Sequence, residues 1–276
     1  MQVDLAKLCP QVVELSRKAG AFIRKERQRF NTDAVELKGK NDLVSYVDKE
    51  SEILLVKGLR EILPEAGFIT EEGTTGENPE SYEQLEGYHW IIDPVDGTTN
   101  FVHSLPPYSV SIGLTWGRTP VLGVVYEVTA DECFYAWKDG GAYCNGEPIR
   151  VAPVTDLAQS LIITGFPYRV FSDLGRLLDI IKHFTLHTHG VRRLGSAAAD
   201  LAYVAAGRGE GFFEYNLKPW DVAGGVVLVQ EAGGFISDFN GGDDYVFGRE
   251  LVAAGPIHPQ MQKVIAEYWN QTPTQP

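Results

Sequence analysis

The feature of this sequence that most constrains its fold is a series of short β-branched and aromatic runs between residues 68 and 137. Glycine, proline and aspartate separate the runs, which predicts strands at Phe68–Thr70, His89–Ile92, Ser109–Thr115, Val121–Tyr126 and Cys133–Trp137. Tight turns are indicated at 139–141 and 145–146. Apolar residues at helical spacing predict helices over 4–29 and about 48–63, with a short strand at 35–37 and a turn at 39–41 between them. We therefore expect an antiparallel, meandering sheet with helices packed on it.

From about Val151 the pattern changes to short strands that alternate with helices. Strands are predicted at 161–164, near His187, and at 211–213, 235–236 and 251–254. Helices are predicted at 174–183, 196–206, 222–231 and 259–269, and the tail 271–276 is expected to be frayed. The alternation is typical of a layered α/β unit. Because no Ser/Pro-rich linker interrupts the chain, we expect two halves, 1–150 with the antiparallel sheet and acidic loops and 151–276 completing the active site, packed as one α/β unit.

Composition and charge exclude several classes of protein. The 276 residues are 44% hydrophobic, which excludes a disordered chain, and 24 basic against 37 acidic residues give a net charge of −13. This balance argues against direct nucleic-acid binding, which depends on Lys and Arg. No apolar run reaches the roughly 18 residues of a membrane helix, and residues 1–10 lack a signal-peptide pattern, so we expect a cytoplasmic protein. Cys9, Cys133 and Cys144 lack zinc-site spacing and are interpreted as reduced thiols.

The segment 90–101 is the most informative for function. An apolar run ends at Asp93, a proline follows, Asp96 comes three residues later, and Gly97 precedes two threonines. We expect the proline to end the strand and the glycine to allow close approach of a ligand. One of the threonines is predicted to cap a short helix, whose free N–H groups favour an anion. The alternative is an Asx turn in which both aspartates only satisfy local backbone donors.

Two other acidic positions favour a site. Glu71 and Glu72 end a predicted strand before a Gly- and Thr-rich loop, where adjacent like charges indicate either solvation or a nearby cation. Asp221 follows Pro219 and Trp220 at a predicted helix start, where a purely structural N-cap role is an alternative that can coexist with ligand binding. All of these donors are oxygens, so the metal indicated is Mg²⁺ first and Mn²⁺ second. Because Mg²⁺ usually retains waters and phosphate oxygens, phosphoryl chemistry is indicated.

Competing mechanisms find less support in the residues. His183, His187 and His189 cluster in sequence, but no Gly-x-Ser-x-Gly motif accompanies them, and the alternation of His187 and His189 favours a strand. They are interpreted as solvated or core histidines rather than a catalytic relay. No Gly-x-x-x-x-Gly-Lys-Ser/Thr segment is present, so ATP is not indicated.

Taken together, the acidic segments resemble the inositol monophosphatase family, within the larger group of Mg²⁺-dependent, lithium-sensitive sugar phosphatases. The resemblance covers essentially the whole chain, and the pair of motifs at 93–101 and 220–225 is its most specific part. Its carriers are TEEG at 70–73, WIIDPVDGTTNF at 90–101, LGSAAADLAYVAAGR at 194–208, KPWDVAGG at 218–225 and EAGG at 231–234, with DLVSYVD at 42–48 similar to an early family segment. The fold that the resemblance implies is a sandwich of α/β/α/β/α layers, usually assembled as a homodimer.

The resemblance also implies roles for individual residues. One Mg²⁺ would be held by Glu71, Asp93 and the carbonyl of Val95, a second by Asp93, Asp96 and Asp221, and a weaker third would lie near Glu71. Thr98, with Asp48 and Glu71, would orient and activate the attacking water. The substrate contacts that it implies are Gly97, Thr98, Gly195, Ser196, Ala197, Glu214 and Asp221.

The activity implied is hydrolysis of a phosphorylated polyol or sugar, first of all inositol 1-phosphate to myo-inositol. Thr70 and Ser45 stand where the family commonly has glycine and threonine, and residues 165–169 look more like the bacterial branch, which leaves the substrate open. Fructose 1,6-bisphosphate, histidinol phosphate, a nucleotide 3′-phosphate and NADP remain alternatives. Because some bacterial members also bind the transcription machinery, a second, non-enzymatic role is a further alternative.

Overall fold

The computed structural model describes residues 3–29, 35–39, 42–167 and 173–271. In these ranges the helices are α1 Leu5–Arg27, α2 Tyr46–Ile62, α3 Thr98–His103, α4 Leu174–His187, α5 Ala197–Ala205, α6 Pro219–Glu231 and α7 His258–Trp269. The strands are β1 Val35–Gly39, β2 Asp42–Ser45, β3 Gly67–Thr70, β4 Tyr88–Asp96, β5 Ser109–Trp116, β6 Thr119–Glu127, β7 Glu132–Trp137, β8 Gly141–Cys144, β9 Glu147–Pro148, β10 Leu161–Thr164, β11 Gly190–Arg192, β12 Gly211–Tyr215, β13 Phe235–Ser237 and β14 Glu250–Ala254. The predicted turn at 39–41 and the tail lie partly outside the described residues.

The first half of the chain forms a seven-stranded sheet in the order β3-β4-β5-β6-β7-β8-β9. From β4 onward each strand pairs antiparallel with the next, which confirms the predicted meander. The exception is β3, which pairs parallel to β4 with Ile69 opposite Ile91. Helices α1 and α2 cover one face, where Val12 and Ile23 of α1 and Leu55 of α2 are fully buried.

The second half forms a five-stranded mixed sheet in the order β11-β10-β12-β14-β13. Helices α4 and α7 pack on its outer side, whereas α5 and α6 lie between the two sheets and contact strands of both. The layers are therefore α/β/α/β/α, as expected. Two short β-strands, β1 and β2, form a separate antiparallel pair.

Of the two helices between the sheets, α6 packs against the first sheet through its backbone at positions where the strands carry glycine. A Cβ atom added to Gly123 of β6 would lie 2.0 Å from the carbonyl oxygen of Gly224 in α6, and one added to Gly113 of β5 would lie 2.7 Å from the Cβ of Ala223. Both positions thus require glycine for the close approach. This contact fixes where α6 begins relative to the end of β4, the two places that carry the site's aspartates.

Three predicted boundaries are wrong in instructive ways. Pro94 does not end β4, which continues to Asp96 through a register shift that keeps the proline out of the hydrogen-bonded pairs. His187 is not in a strand but is the last residue of α4, because Leu177, Ile180 and Phe184 form a buried helical stripe. Helix α6 begins at Pro219 rather than at Val222, since proline is well accommodated in a first helical turn.

Candidate metal centre

The irregularity at the end of β4 presents two aspartates on one loop. Asp93 pairs with Ser111 and Asp96 with Ser109, and the two residues between them form the bulge. The Asp93 carboxylate accepts a hydrogen bond of 2.9 Å from the N–H of Val95, which uses one of its oxygens. The Asx turn that was the alternative interpretation is therefore present at Asp93, where it coexists with the cluster described below, but Asp96 accepts its hydrogen bonds from residues distant in sequence.

Gly97 connects this loop to α3 in a conformation that favours glycine. Its φ is +93°, and an added Cβ would lie 3.0 Å from the carbonyl oxygen of Gly195. Gly97 is itself the N-cap of α3, so the prediction that a threonine caps this helix is wrong. The close contact brings the start of α3 against the loop that precedes α5, which contains Gly195 and Ser196.

Asp96 is held in place from the start of α5. Its Oδ2 atom accepts hydrogen bonds from the Ser196 hydroxyl at 2.6 Å and from the Ala198 N–H at 2.7 Å. The Ser196 hydroxyl also lies 2.9 Å from that of Ser109. Since Ser196 is the N-cap of α5 as well, its side chain is committed to the protein, and its backbone remains as the group to contact a ligand.

Asp221 comes from the opposite direction, on the first turn of α6. The sequence predicted Asp221 as the N-cap, but the N-cap is Lys218 and Asp221 is the third residue of the helix. Its Oδ2 accepts a hydrogen bond of 2.6 Å from the N–H of Lys218. The structural role and a ligand role are compatible because a carboxylate has two oxygens. One oxygen each from Asp93, Asp96 and Asp221 all lie within 4.8 Å of one another.

The electrostatics of this cluster are unfavourable without a cation. Burial, followed by the charges of Glu71, Asp96 and Asp221, raises the pKa of Asp93 well above its usual value. Burial and the charge of Asp96 likewise raise the pKa of Asp221 well above its usual range. Burial raises the pKa of Asp96 to about 6 even though the bonds from Ser196 and Ala198 oppose the shift. A buried, all-oxygen set of mutually repelling carboxylates fits a hard divalent cation.

Glu71 lies beside this group, but its carboxylate is not within the compact set of three. Its backbone N–H donates to the carbonyl of Ile92 at 3.2 Å, which extends the pairing of β3 and β4 by one residue. Its side chain is close enough to hydrogen bond to Asp93, and after burial its charge contributes most to raising the pKa of that residue. The parallel pairing of β3 with β4 thus places Glu71 next to the aspartates.

The loop that carries Glu71 is organised by Glu52, a residue that the sequence analysis did not single out. Glu52 is fully buried in α2, and its carboxylate accepts four hydrogen bonds. The donors are the hydroxyl of Thr70 at 2.9 Å, the N–H of Glu72 at 2.7 Å, and both the N–H and hydroxyl of Thr74 at 2.7 Å. One signal was available, because Glu52 lies four residues after Asp48 and so shares its face of the helix.

Asp48 and Thr98 form a direct pair that links α2 to α3. The Thr98 hydroxyl donates to Asp48 Oδ1 at 2.8 Å and lies 3.1 Å from the carbonyl of Val95. The other oxygen of Asp48 accepts the N–H and the hydroxyl of Ser45 at 2.9 and 2.6 Å. The serine that replaces the commoner threonine at position 45 therefore makes the hydroxyl contact.

A second set of acids borders the cluster on the side of the second sheet. Glu214 on β12 is half-buried, and desolvation of its carboxyl group together with the charge of Asp96 raises its pKa to about 8. Asp200 on α5 is 1% exposed, and its Oδ1 has no hydrogen-bond partner among the described residues. Burial and the charge of Glu214 raise the pKa of Asp200 well above its usual value, and Arg193 opposes both shifts. Asp200 and Arg193 were not predicted, since an aspartate inside an alanine-rich helix reads as solvent-facing.

The residues predicted for the site are thus distributed in three neighbouring groups. Asp93, Asp96 and Asp221 form the cluster with Glu71 at its side. Gly97 contacts the loop of Gly195 and Ser196. This loop leads into α5, whose first residue is Ala197. Asn100 of α3 anchors the loop by donating a hydrogen bond of 2.8 Å to the carbonyl of Leu194. Asp48, Thr98 and Val95 form the third group, and Glu214 lies separately on β12, on the side of the second sheet. The histidines at 183 and 187 lie elsewhere, on α4 against α7.

Fold and site together define a five-layered α/β protein with a buried, oxygen-lined candidate metal centre between its two sheets. The model of the inositol monophosphatase family matches residues 4–273, and the chain belongs to this family. "Nus factor SuhB" of Salmonella typhimurium is 43% identical over 247 residues, which cover 88% of this chain and 90% of that protein.

Solved structures agree with this assignment. The extragenic suppressor protein suhB from Bartonella henselae superposes with a TM-score of 0.84 at 35% identity, over 93% of this chain and 97% of that one. The inositol monophosphatase from Anabaena superposes with a TM-score of 0.81 at 32% identity, over 96% and 97% of the two chains. In the described part of the chain, no helix is long and apolar enough to span a membrane.

Proposed function

We propose that this protein is a Mg²⁺-dependent phosphatase that hydrolyses inositol 1-phosphate to myo-inositol and phosphate. The observation that carries the proposal is the convergence of Asp93, Asp96 and Asp221 from two different loops to within 4.8 Å in a buried setting. Such a set is costly to fold without a cation and has the oxygen ligands that Mg²⁺ prefers. The family to which the chain belongs, and the Anabaena relative named as an inositol monophosphatase, support the choice of reaction.

The proposed ligands follow from the cluster and its neighbours. Glu71, Asp93 and the Val95 carbonyl would hold one ion, and Asp93, Asp96 and Asp221 a second. A third, weaker ion would lie near Glu71, and Mn²⁺ would be a substitute. When bound, such ions supply charge neutralisation for the phosphoryl group and lower the pKa of water.

The chain's own residues would prepare the nucleophile. The Thr98 hydroxyl donates a hydrogen bond to Asp48 Oδ1, so a lone pair on the Thr98 oxygen is left to accept a hydrogen bond from the attacking water. Asp48 is oriented for this by its two bonds from Ser45. The arrangement would fix the water in line with the phosphorus, with Glu71 on its other side, so that hydrolysis proceeds without a phosphoenzyme. The amides of Gly97 and Thr98 would donate to the phosphate oxygens.

The polyol would bind on the side of the second sheet. Glu214 is a half-buried residue, and Gly165 provides space for its carboxyl group, since a Cβ there would lie 2.0 Å from the Glu214 carboxylate. Hydroxyl groups of a substrate would give Glu214 the hydrogen-bond partners that a buried polar group requires. Backbone groups of 195–197, together with Asp221, would complete the contacts to the ring.

The decisive experiment is release of phosphate from inositol 1-phosphate and from fructose 1,6-bisphosphate in Mg²⁺, with and without Li⁺. We expect preference for the inositol ester and inhibition by Li⁺. Asp93→Asn should lose most Mg²⁺-dependent turnover, whereas the matched variant Asp243→Asn, at an exposed loop position, should keep it. Normal turnover in Asp93→Asn would refute the metal assignment. Preference for the bisphosphate, histidinol phosphate or a nucleotide would keep the reaction and change the substrate. Light scattering tests the proposed homodimer.

A second candidate function comes from the relatives' names. A protein that is 43% identical is called a Nus factor, so we propose that this chain also binds a component of the transcription machinery. Such binding would not depend on hydrolysis. Co-purification of that component with both the wild type and Asp93→Asn is expected, and its failure with both would refute this role while leaving the phosphatase proposal intact.

A further inference from the structure

Two histidines that the phosphatase site does not use lie one turn apart at the end of α4. His183 and His187 are four residues apart in the helix, and their rings are stacked with centroids 4.4 Å apart and planes inclined by 28°. His187 is exposed and His183 is half-buried. Residues four apart on a helix share one face, which is the spacing at which paired histidines bind zinc in metalloproteases.

The hydrogen bonds of the two rings leave the same nitrogen available on each. His187 Nδ1 lies 2.8 Å from the carbonyl oxygen of His183, which can only accept, so Nδ1 carries the proton and Nε2 carries the lone pair. His183 Nδ1 lies 3.3 Å from the hydroxyl of Tyr268 on α7. Within the described ranges of the chain, neither Nε2 atom has a hydrogen-bond partner. An imidazole held through Nδ1 by a carbonyl or hydroxyl is the usual arrangement of a metal-binding histidine.

The surroundings of His183 favour neutral imidazole, the form that binds metals. Burial and the neighbouring His187 lower the pKa of His183, while the carboxylate of Glu267 on α7 opposes the shift and adds negative charge nearby. Two nitrogens bound to one tetrahedral ion at about 2.1 Å each are about 3.4 Å apart. The ring centroids of His183 and His187 are 4.4 Å apart, so the two rings would bind one ion by turning their Nε2 edges toward each other.

We propose that His183 and His187 form a surface site for a borderline transition-metal ion of the Zn²⁺ class, distinct from the oxygen-lined catalytic cluster. Imidazole nitrogens select zinc, nickel or copper over Mg²⁺. Because the protein supplies only two ligands, waters complete the coordination. Binding is then reversible, and the occupancy of the site changes with the free metal concentration. The ion would clamp the last turn of α4 and, through Tyr268, the contact of that turn with α7.

Zinc titration of the untagged protein by calorimetry, with Mg²⁺ saturating the carboxylate cluster, tests the proposal. We expect one Zn²⁺ per chain in the wild type and in His189→Gln, a matched control at an exposed histidine just beyond α4. His187→Gln should weaken binding at least tenfold without changing hydrolysis in Mg²⁺, and His183→Gln should do the same.

Thermal unfolding gives a second readout, because a ligand that binds only the folded protein raises Tm. Zinc should raise the Tm of the wild type and of His189→Gln but not that of His187→Gln. Because His187 is exposed, this variant is expected to fold even if His183→Gln does not. Unaltered zinc affinity in His187→Gln, or equal loss in His189→Gln, would overturn the proposal and leave His187 with only the favourable position of a basic residue at a helix C-terminus.

Discussion

Replacing Glu52 by glutamine should weaken metal binding, although Glu52 is not one of the proposed metal ligands. The carboxylate accepts three hydrogen bonds at Oε1, from Thr70 and Thr74, and one at Oε2, from the N–H of Glu72. Glutamine can place its oxygen at the first position, but its amide then faces the Glu72 N–H, donor against donor. One bond to a charged acceptor is worth about 1.5–3 kcal/mol, and a buried unsatisfied donor costs about 1–3 kcal/mol more. We expect a loss of about 3–5 kcal/mol, concentrated on the loop of Glu71.

The loop can relieve this cost by opening, which moves Glu71 away from Asp93. The half-saturating Mg²⁺ concentration for phosphate release should therefore rise severalfold, while urea unfolding in saturating Mg²⁺ shows a smaller loss of stability than the full sum. Glu50→Gln, an exposed change on the same helix, is the matched control and should alter neither. Reduced stability with an unchanged Mg²⁺ requirement would show that Glu52 only stabilises the fold, and no change in either quantity would refute the hydrogen-bond reasoning.

Four further predictions test other parts of the site. Thr98→Val should lower kcat tenfold or more with little change in the Mg²⁺ requirement, and an equal rise in that requirement would contradict its role with water. When a chelator removes divalent metal, the free energy of unfolding should fall as pH rises from about 4 through 6. The pKa of Asp96 in the folded protein is raised to about 6, so the folded state is stabilised by the protonated carboxyl and loses that stabilisation as the group ionises. Mg²⁺ should abolish this slope in urea titrations. Gly123→Ala should cost about 1–3 kcal/mol in urea unfolding and raise the Mg²⁺ requirement, whereas Gly175→Ala, with open space around it, should do neither. Glu214→Gln should change the ranking of phosphate esters more than the rate on the best one, and equal losses on all esters would argue against contact with the polyol.

The extent of prediction from sequence differs between local and non-local features. The runs at 109–137 predict β5, β6 and β7 to within two residues because alternating side chains and turn residues act locally. The parallel pairing of β3 was missed, since nothing in four residues shows which neighbour they bond to. Pro94 misled because a bulge accommodates a proline without ending the strand. His187 misled because two alternating histidines weigh less than the buried stripe of the helix before them.

For the candidate site, the acids in short dense motifs were recognised, whereas Glu52 and Asp200, which lie outside such motifs, were not. Asp93 and Asp96 stand out because a loop that interrupts an apolar strand needs a reason for two carboxylates. Glu52 and Asp200 sit inside helices, where an acidic residue is ordinary, and only the folded chain shows that both face inward. The hydrogen-bond donors to Glu52 lie 18 or more residues away in the sequence, so no rule of local spacing predicts them.

The backbone contact of Gly123 with Gly224 also affects how the carboxylates of the candidate metal centre can respond to their mutual repulsion. Where two main chains touch without side chains between them, no rotamer change can lengthen or shorten the gap, so the start of α6, which carries Asp221, is held at a set distance from the strands of the first sheet. The main chains that carry the carboxylates are therefore held in place, and rotation or protonation of the side chains remains as the way to relieve their repulsion. An ion held there as proposed would meet backbones that are already placed, and we expect its affinity to depend more on charge than on rearrangement of the two sheets.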